Sequence, residues 1–122
     1  MAWDLQSDRP IYLQLMEKLQ LQIICGVYPP GGKLPSVRDL AAEAAVNPNT
    51  MQKALSELER MGLVFSQRTS GRFITEDTNM IQNMKNDMAK QQILDFLKNM
   101  KKIGYDKESA IQVMMELAKE ME

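Results

Sequence analysis

The segment that most restricts how this chain can fold is residues 27–35, VYPPGGKLP, whose clustered prolines and glycines predict a rigid loop. Ser36 follows the loop and is a good N-cap, and Asp39 stands three residues later in a weak capping-box pattern. A short helix is therefore predicted from Ser36 to about Ala44. Its inward-facing residues are expected to be Val37, Leu40 and Ala41.

A second short helix is predicted after a tight turn at Ala45 and Val46. Asn47 is its predicted N-cap, Pro48 takes the first helical position, where its missing N–H costs nothing, and the helix runs to about Met61. Two short helices joined by a tight turn form a helix-turn-helix pattern, which is a weak signal on its own. The predicted buried stripe of the second helix is Met51, Ala54, Leu55 and Leu58.

The segment after these two helices predicts a β-hairpin. Residues 63–65 and 72–75 are typical of short strands, and residues 67–71 are typical of the turn between them. A hairpin in this place makes the pattern a winged helix, which is more specific than a helix-turn-helix alone.

Three further helices complete the predicted fold. One covers residues 10–25, a long one runs from the possible caps at 77–79 to about Ile103, and Asp106 caps the last one. We therefore expect a mainly α chain. A winged helix-turn-helix domain with three helices and a small wing occupies residues 1–75, and a two-helix tail occupies residues 76–122.

The charge balance does not by itself indicate a nucleic-acid partner. The net charge at pH 7 is −1, from 15 basic and 16 acidic residues. Residues 1–75 carry eight basic and seven acidic residues, and residues 76–122 carry seven and nine. Any basic surface must therefore come from local clustering.

The absence of histidine and the single cysteine, Cys25, exclude several kinds of site. One such chain cannot build a zinc site from cysteine and histidine, a nucleophile activated by histidine, or an internal disulfide bond. No metal, cofactor or enzymatic activity is expected. Cys25 is expected to be a small buried hydrophobic residue, and a redox-sensing thiol is the alternative.

The sequence predicts a cytoplasmic location. No apolar run approaches the roughly 18 residues that span a membrane. The segment MAWDLQSDRP has acidic residues where a signal peptide needs basic ones followed by an apolar core.

Four stretches of the sequence resemble the GntR family of bacterial transcription regulators. The short two-helix tail is similar to that of the YtrA-like subfamily, and the run PGGKLPSVRDLA is a highly specific signature. The resemblance implies a repressor that acts as a homodimer on a short inverted repeat in double-stranded DNA, and it leaves open whether a small-molecule effector exists. The four stretches are PIYLQL at 10–15, GVYPPGGKLPSVRDLA at 26–41, VNPNTMQKAL at 46–55 and LERMGLVFSQRTSGRFI at 58–74.

Side chains at the start of the two short helices are predicted DNA contacts. The planar guanidinium of Arg38 suits phosphate or guanine, and the resemblance implies that this arginine contacts DNA, with a surface ion pair as the alternative. Ser36 can bond a phosphate at a helix N-terminus. The second helix would enter the major groove with its exposed first turns, and Asn47 can also act only as a cap. The residues predicted there are Asn47, Asn49, Thr50, Gln52 and Lys53.

The predicted wing is basic because Arg68 and Arg72 flank its turn. Arginine in a wing suits the minor groove or the DNA backbone, so Arg68, Thr69, Gly71 and Arg72 are predicted contacts, with solvated arginines as the alternative.

The sequence departs from the family at two positions. Many members carry a basic residue where this chain has Pro48, and many wings read Gly-x-Gly where this chain reads TSG. The operator preferences of the family are therefore not transferred.

The tail holds seven of the eleven methionines, at the helical spacing typical of a core. Two helices cannot bury both apolar stripes and also cover the winged domain without a partner, and the resemblance implies that this tail mediates homodimerisation. A small apolar ligand bound between the tail helices is the alternative. The predicted dimerisation residues are Ile81, Met84, Met88, Ile93, Phe96, Leu97, Met100, Val113, Met114, Leu117 and Met121.

A protein-binding winged helix that docks through its tail is the competing function. The weak net charge and Pro48 favour it slightly. The basic residues Arg38, Lys53, Arg68 and Arg72, all on the predicted DNA side, favour the DNA-binding regulator.

Overall fold

The computed structural model describes residues 3–121. The predicted fold class is confirmed, because a two-stranded antiparallel hairpin follows a helix-turn-helix in a mainly α chain. Helix and strand ends differ from the prediction by one or two residues. The elements are α1 at Ile11–Ile24, α2 at Val37–Ala44, α3 at Pro48–Arg60, β1 at Val64–Gln67, β2 at Gly71–Ile74, α4 at Thr78–Lys102 and α5 at Lys107–Glu120.

Side-chain caps explain where α2 and α3 begin. The Ser36 Oγ accepts a hydrogen bond from the backbone N–H of Asp39 at 3.1 Å, and the Asn47 Oδ1 accepts one from the backbone N–H of Asn49 at 2.8 Å. Between the two helices Ala45 adopts a φ of 61°, in the left-handed region. This residue reverses the chain within the tight turn that the sequence predicts.

Helix α3 lies at the centre of the winged-helix core, where it packs against α1, α2 and β1. Its predicted buried stripe is confirmed, since all four residues have no exposed surface. The other buried apolar residues of the winged helix come from α1, α2, the proline- and glycine-rich loop, the hairpin and the residue before β1. The core contains Leu15, Leu19, Ile23, Leu34, Leu40, Ala41, Ala44, Met51, Ala54, Leu55, Leu58, Leu63, Val64 and Ile74.

The proline- and glycine-rich loop is attached to the hairpin by backbone hydrogen bonds. Lys33 forms an isolated antiparallel bridge with Phe73. The N–H of Leu34 donates to the carbonyl oxygen of Arg72 at 2.9 Å, and the N–H of Ile74 donates to that of Gly32 at 2.8 Å. The loop therefore extends the hairpin on its β2 side and holds it against the helices, an arrangement that the sequence pattern does not predict.

The expectation that Cys25 is buried is wrong. Cys25 is the C-cap of α1, and its side chain is exposed. The buried face of α1 is set by residues four apart, Leu15, Leu19 and Ile23, so a residue two positions beyond Ile23 lies on the opposite side of the helix.

The chain separates into two compact units, one up to Asn83 and one from Met84. In the second unit α5 begins at Asp106, whose carboxyl accepts a hydrogen bond from the backbone N–H of Ser109 at 2.8 Å. Hydrogen bonds from the Ser109 backbone and side chain lower the pKa of the Asp106 carboxyl.

No helix within residues 3–121 is long and apolar enough to cross a membrane.

Candidate nucleic-acid interface

The first turns of α3 present polar side chains on the face opposite its buried stripe. Asn49, Gln52 and Lys53 are exposed and lie three and four residues apart, so they share one face of the helix. Thr50 is half-buried. Asn47 is exposed and caps the helix, and the role of the cap leaves its amide N–H groups available to a phosphate.

The side chains of Lys53 and Gln52 each contact another side chain at the surface. The Lys53 Nζ lies 4.0 Å from the centroid of the Tyr12 ring, which belongs to α1. A cation over an aromatic face is stabilised by about 0.5–1 kcal/mol at an exposed site. The Gln52 Nε2 donates to the Ser56 Oγ at 3.2 Å. Tyr12 therefore supports a predicted contact residue, and no feature of the helix periodicity identifies it.

Arg38 is exposed in the first turn of α2, and it forms no ion pair with any carboxylate of residues 3–121. The ion-paired alternative for Arg38 is therefore absent from this structure. Ser36 is the N-cap of the same helix. Its Oγ accepts a hydrogen bond from the backbone N–H of Asp39, and the hydroxyl hydrogen can still be donated to a phosphate.

The wing turn is exposed and basic. Arg68 and Thr69 lie in the three-residue turn between the cross-strand partners Gln67 and Gly71. Arg68 has no ion-pair partner among the described residues. Gly71 has a φ of 101°, a backbone conformation that favours glycine, and a Cβ built on it would lie 3.1 Å from the Cε at the flexible end of Lys33.

Lys33 is an exposed cation beside the wing turn that the sequence pattern misses. Its bridge to Phe73 fixes its backbone, and its aliphatic chain packs against Gly71. Lys33 is identified only by the packing of the loop against the wing. The two segments are almost forty positions apart in the sequence, so no local pattern connects them.

One open cleft brings the start of α2 and the wing together. It has a volume of about 820 Å³, and the predicted site residues along it are Ser36, Thr69, Gly71 and Arg72. Lys33 also lines the cleft. The predicted contacts on α3 do not line it, and neither does Arg38, although its chain neighbours Val37 and Asp39 do.

Arg72 lies against α3. Its Nε donates to the Glu59 Oε1, and only 20% of its side chain is exposed. It therefore differs from Arg68, whose side chain is at the exposed turn.

In the second unit, several predicted tail residues line one apolar cleft of about 370 Å³ between the end of α4 and α5. Ile93 and Leu97 lie outside this cleft, as do Met84 and Met88, and Ile81 belongs to the first unit. The cleft is lined by Phe96, Met100, Val113, Met114, Leu117, Ala118 and Met121.

No group of three or more acidic or cysteine side chains within residues 3–121 could hold a metal ion.

The sequence is similar to those of known transcription regulators. The family model of the bacterial regulatory proteins of the gntR family matches residues 11–74. The transcriptional repressor YtrA of Bacillus subtilis is 39% identical over 97 residues, which cover 75% of each chain.

Two solved structures are similar to the chain. A GntR family transcriptional regulator from Listeria monocytogenes has a TM-score of 0.84 and 38% identity, and the match covers 92% of this chain and 98% of that one. The DNA-binding domain of AraR in complex with its operator ORX1 has a TM-score of 0.54 and 27% identity, over 62% of this chain and 93% of that one.

Proposed function

Because the chain belongs to the gntR family of bacterial regulatory proteins, and is therefore a transcription regulator with a DNA-binding winged helix, we propose that it is a repressor. In this proposal the chain acts as a homodimer on a short inverted-repeat operator and works in the cytoplasm, where the bacterial chromosome lies. YtrA of Bacillus subtilis, to which it is 39% identical, is a repressor. A dimer that occupies a promoter blocks transcription by occlusion.

The observation that carries the proposal is the unpaired, exposed Arg38 in the first turn of α2, with the polar first turns of α3 following it in the helix-turn-helix. In a nearly neutral chain, cations that no carboxylate compensates are the groups able to attract phosphate. A recognition helix enters the major groove with its N-terminal residues, and α3 has its polar face at that end.

The proposed contacts divide into base readout and backbone positioning. Asn49 and Gln52 carry amides that can pair with an adenine edge, and Arg38 can pair with guanine or phosphate. Lys53 and Arg68 are assigned to phosphate or the minor groove. The remaining proposed contacts are Ser36, Asn47, Thr50, Thr69 and Gly71.

We assign DNA binding to residues 1–75 and dimerisation to residues 76–122. The tail carries large apolar side chains that one chain leaves exposed, among them Ile93 and Leu117, each 56% exposed, and Met114, 45% exposed. A second copy related by a two-fold axis would cover these side chains with the same residues of its own tail. Such a dimer matches the symmetry of an inverted repeat. The cleft residues form the proposed centre of this interface, and Met84, Met88, Ile93 and Leu97 are further proposed residues of the second unit. Ile81, in the first unit, is also a proposed dimerisation residue.

Selection of bound sequences from random duplex DNA tests the proposal. We expect an enriched inverted repeat whose half-sites lie roughly one helical turn, about 10 base pairs, apart. Selection at two salt concentrations should enrich the same sequence, while the affinity falls steeply with salt because phosphate contacts dominate it. Enrichment of nothing above the starting pool would contradict DNA recognition, and enrichment of a single half-site would contradict the dimer.

A further inference from the structure

A single carboxylate on α3 holds both strands of the wing. The Glu59 Oε1 accepts a hydrogen bond from the Ser66 Oγ at 2.6 Å and another from the Arg72 Nε. Ser66 and Arg72 are cross-strand partners on β1 and β2. We call Glu59, Ser66 and Arg72 the wing clasp.

The wing clasp is better shielded than the other ion pairs of the described chain. The side chains of Arg72 and Glu59 are 20% and 30% exposed, whereas those of Arg9 and Glu17 are 43% and 57% exposed. Partial desolvation raises the pKa of Glu59, but the hydrogen bonds from Ser66 and Arg72 and the charge of Arg72 outweigh it and leave the pKa below its ordinary value. The carboxylate therefore stays charged at neutral pH and keeps both donors.

The wing clasp lies next to the turn of the hairpin. Beyond Ser66 and Arg72 only one further pair, Gln67 and Gly71, precedes the turn, and residues 67–71 are all exposed. Among the side-chain hydrogen bonds and ion pairs of residues 3–121, the clasp is the last link between α3 and the wing before Arg68. The loop bonds hold the backbone of β2, and the clasp adds the side-chain link from α3 to both strands just before the turn.

On the basis of the proposed function, we infer that Glu59 and Arg72 are positioning residues that set the wing at a fixed orientation to the recognition helix. Arg68 makes the charged contact of the wing with DNA, and Arg72 acts by positioning Arg68. This role for Arg72 differs from the direct contact that the basic turn predicts. It follows from the guanidinium being bonded to Glu59 rather than extended beside Arg68.

The substitution Glu59→Gln separates the two roles because they predict opposite signs. Removing a negative charge from a DNA-binding domain should strengthen binding by general electrostatics, and it should also release Arg72 if that arginine contacts phosphate. If the clasp positions the wing, the same change weakens binding to the selected operator by about threefold to tenfold, as expected for the loss of one contact between coupled residues.

Glu57→Gln is the matched control. Glu57 is another carboxylate of α3, and it pairs with the exposed Arg60. It makes no hydrogen bond to the wing within the described chain. The control removes the same charge from the same helix, so we expect unchanged or slightly tighter binding. Ser66→Ala is a second clasp variant, and we expect it to weaken binding by about twofold to threefold.

The salt dependence of operator binding provides the readout that a general loss of stability does not change. Arg68→Ala should reduce the slope of log affinity against log salt by about one, the value for one phosphate contact. Arg72→Met should weaken binding in the wild-type background and have little further effect in the Arg68→Ala background. If Arg72 contacts phosphate itself, the two effects add and the slope falls by about two in the double variant.

The outcomes distinguish this inference from the function on which it rests. Circular dichroism first establishes that each variant is folded. If the wild-type chain does not bind the selected duplex, the proposed function is contradicted. If the wild-type chain binds, and Glu59→Gln binds as well as or better than Glu57→Gln, the positioning role is overturned while the proposed function stands.

Discussion

Replacing Arg38 with glutamate is expected to weaken operator binding by at least about 100-fold, because the change removes a bidentate contact and places a negative charge against the DNA backbone. Arg38 is exposed and makes no ion pair with the described carboxylates, so its loss leaves no buried partner behind. The free energy of unfolding should therefore change little. Titration of a labelled operator duplex measures the affinity, and urea unfolding measures the stability.

Arg60→Glu is the control for the charge reversal. Arg60 is the last residue of α3, at the end opposite the proposed recognition surface, and 76% of its side chain is exposed. Its surface pair with Glu57 contributes little to stability. We expect this variant to bind the operator within a few-fold of the wild type. Equal binding by the Arg38 variant and the wild type would contradict the assignment of α2 to the DNA interface.

Replacing Leu117 with lysine is expected to convert the proposed homodimer to a monomer, with self-association weaker by at least about 100-fold. Leu117 lines the apolar cleft and is 56% exposed in a single chain, so lysine is tolerated in the monomer. In the proposed dimer the same position is buried, and an unpaired buried ammonium costs several kcal/mol. Sedimentation over a range of protein concentrations measures the change.

Gln112→Lys introduces the same side chain on the other face of α5. Gln112 is exposed, lies outside the apolar cleft and has Glu116 one turn away. We expect this control to remain dimeric. If the Leu117 variant also remains dimeric, the cleft is not at the dimer interface, and the alternative of a small apolar ligand in the cleft gains support.

The parts of the fold that depend on neighbouring residues could be predicted from the sequence. The stripe of α3 repeats every three or four residues, so Met51, Leu55 and Leu58 are identified by their spacing alone. Ser36 and Asp106 start helices because their side chains bond a backbone N–H three residues later. Such interactions are completed within one turn of chain.

The parts of the site that depend on distant residues could not be predicted. Arg72 and Glu59 are 13 positions apart, and nothing in either strand or helix pattern indicates that they meet. Gln14, which lies outside the site, shows the same limit in the fold itself. It is buried on the apolar face of α1, where its side-chain amide bonds the backbone of Gln6 and Arg9. Polar partners of this kind are determined by how the elements pack together.

The central claim is sequence-specific DNA recognition by a dimer. Its most direct test is the ratio of the dissociation constants for the selected operator and for a scrambled duplex of the same composition, at physiological salt and with the stoichiometry measured in parallel. The account predicts that the operator binds at least about 1,000-fold more tightly, as specific sites do, with two chains on each duplex. Equal affinity for the two duplexes, or one chain bound per operator, would contradict it.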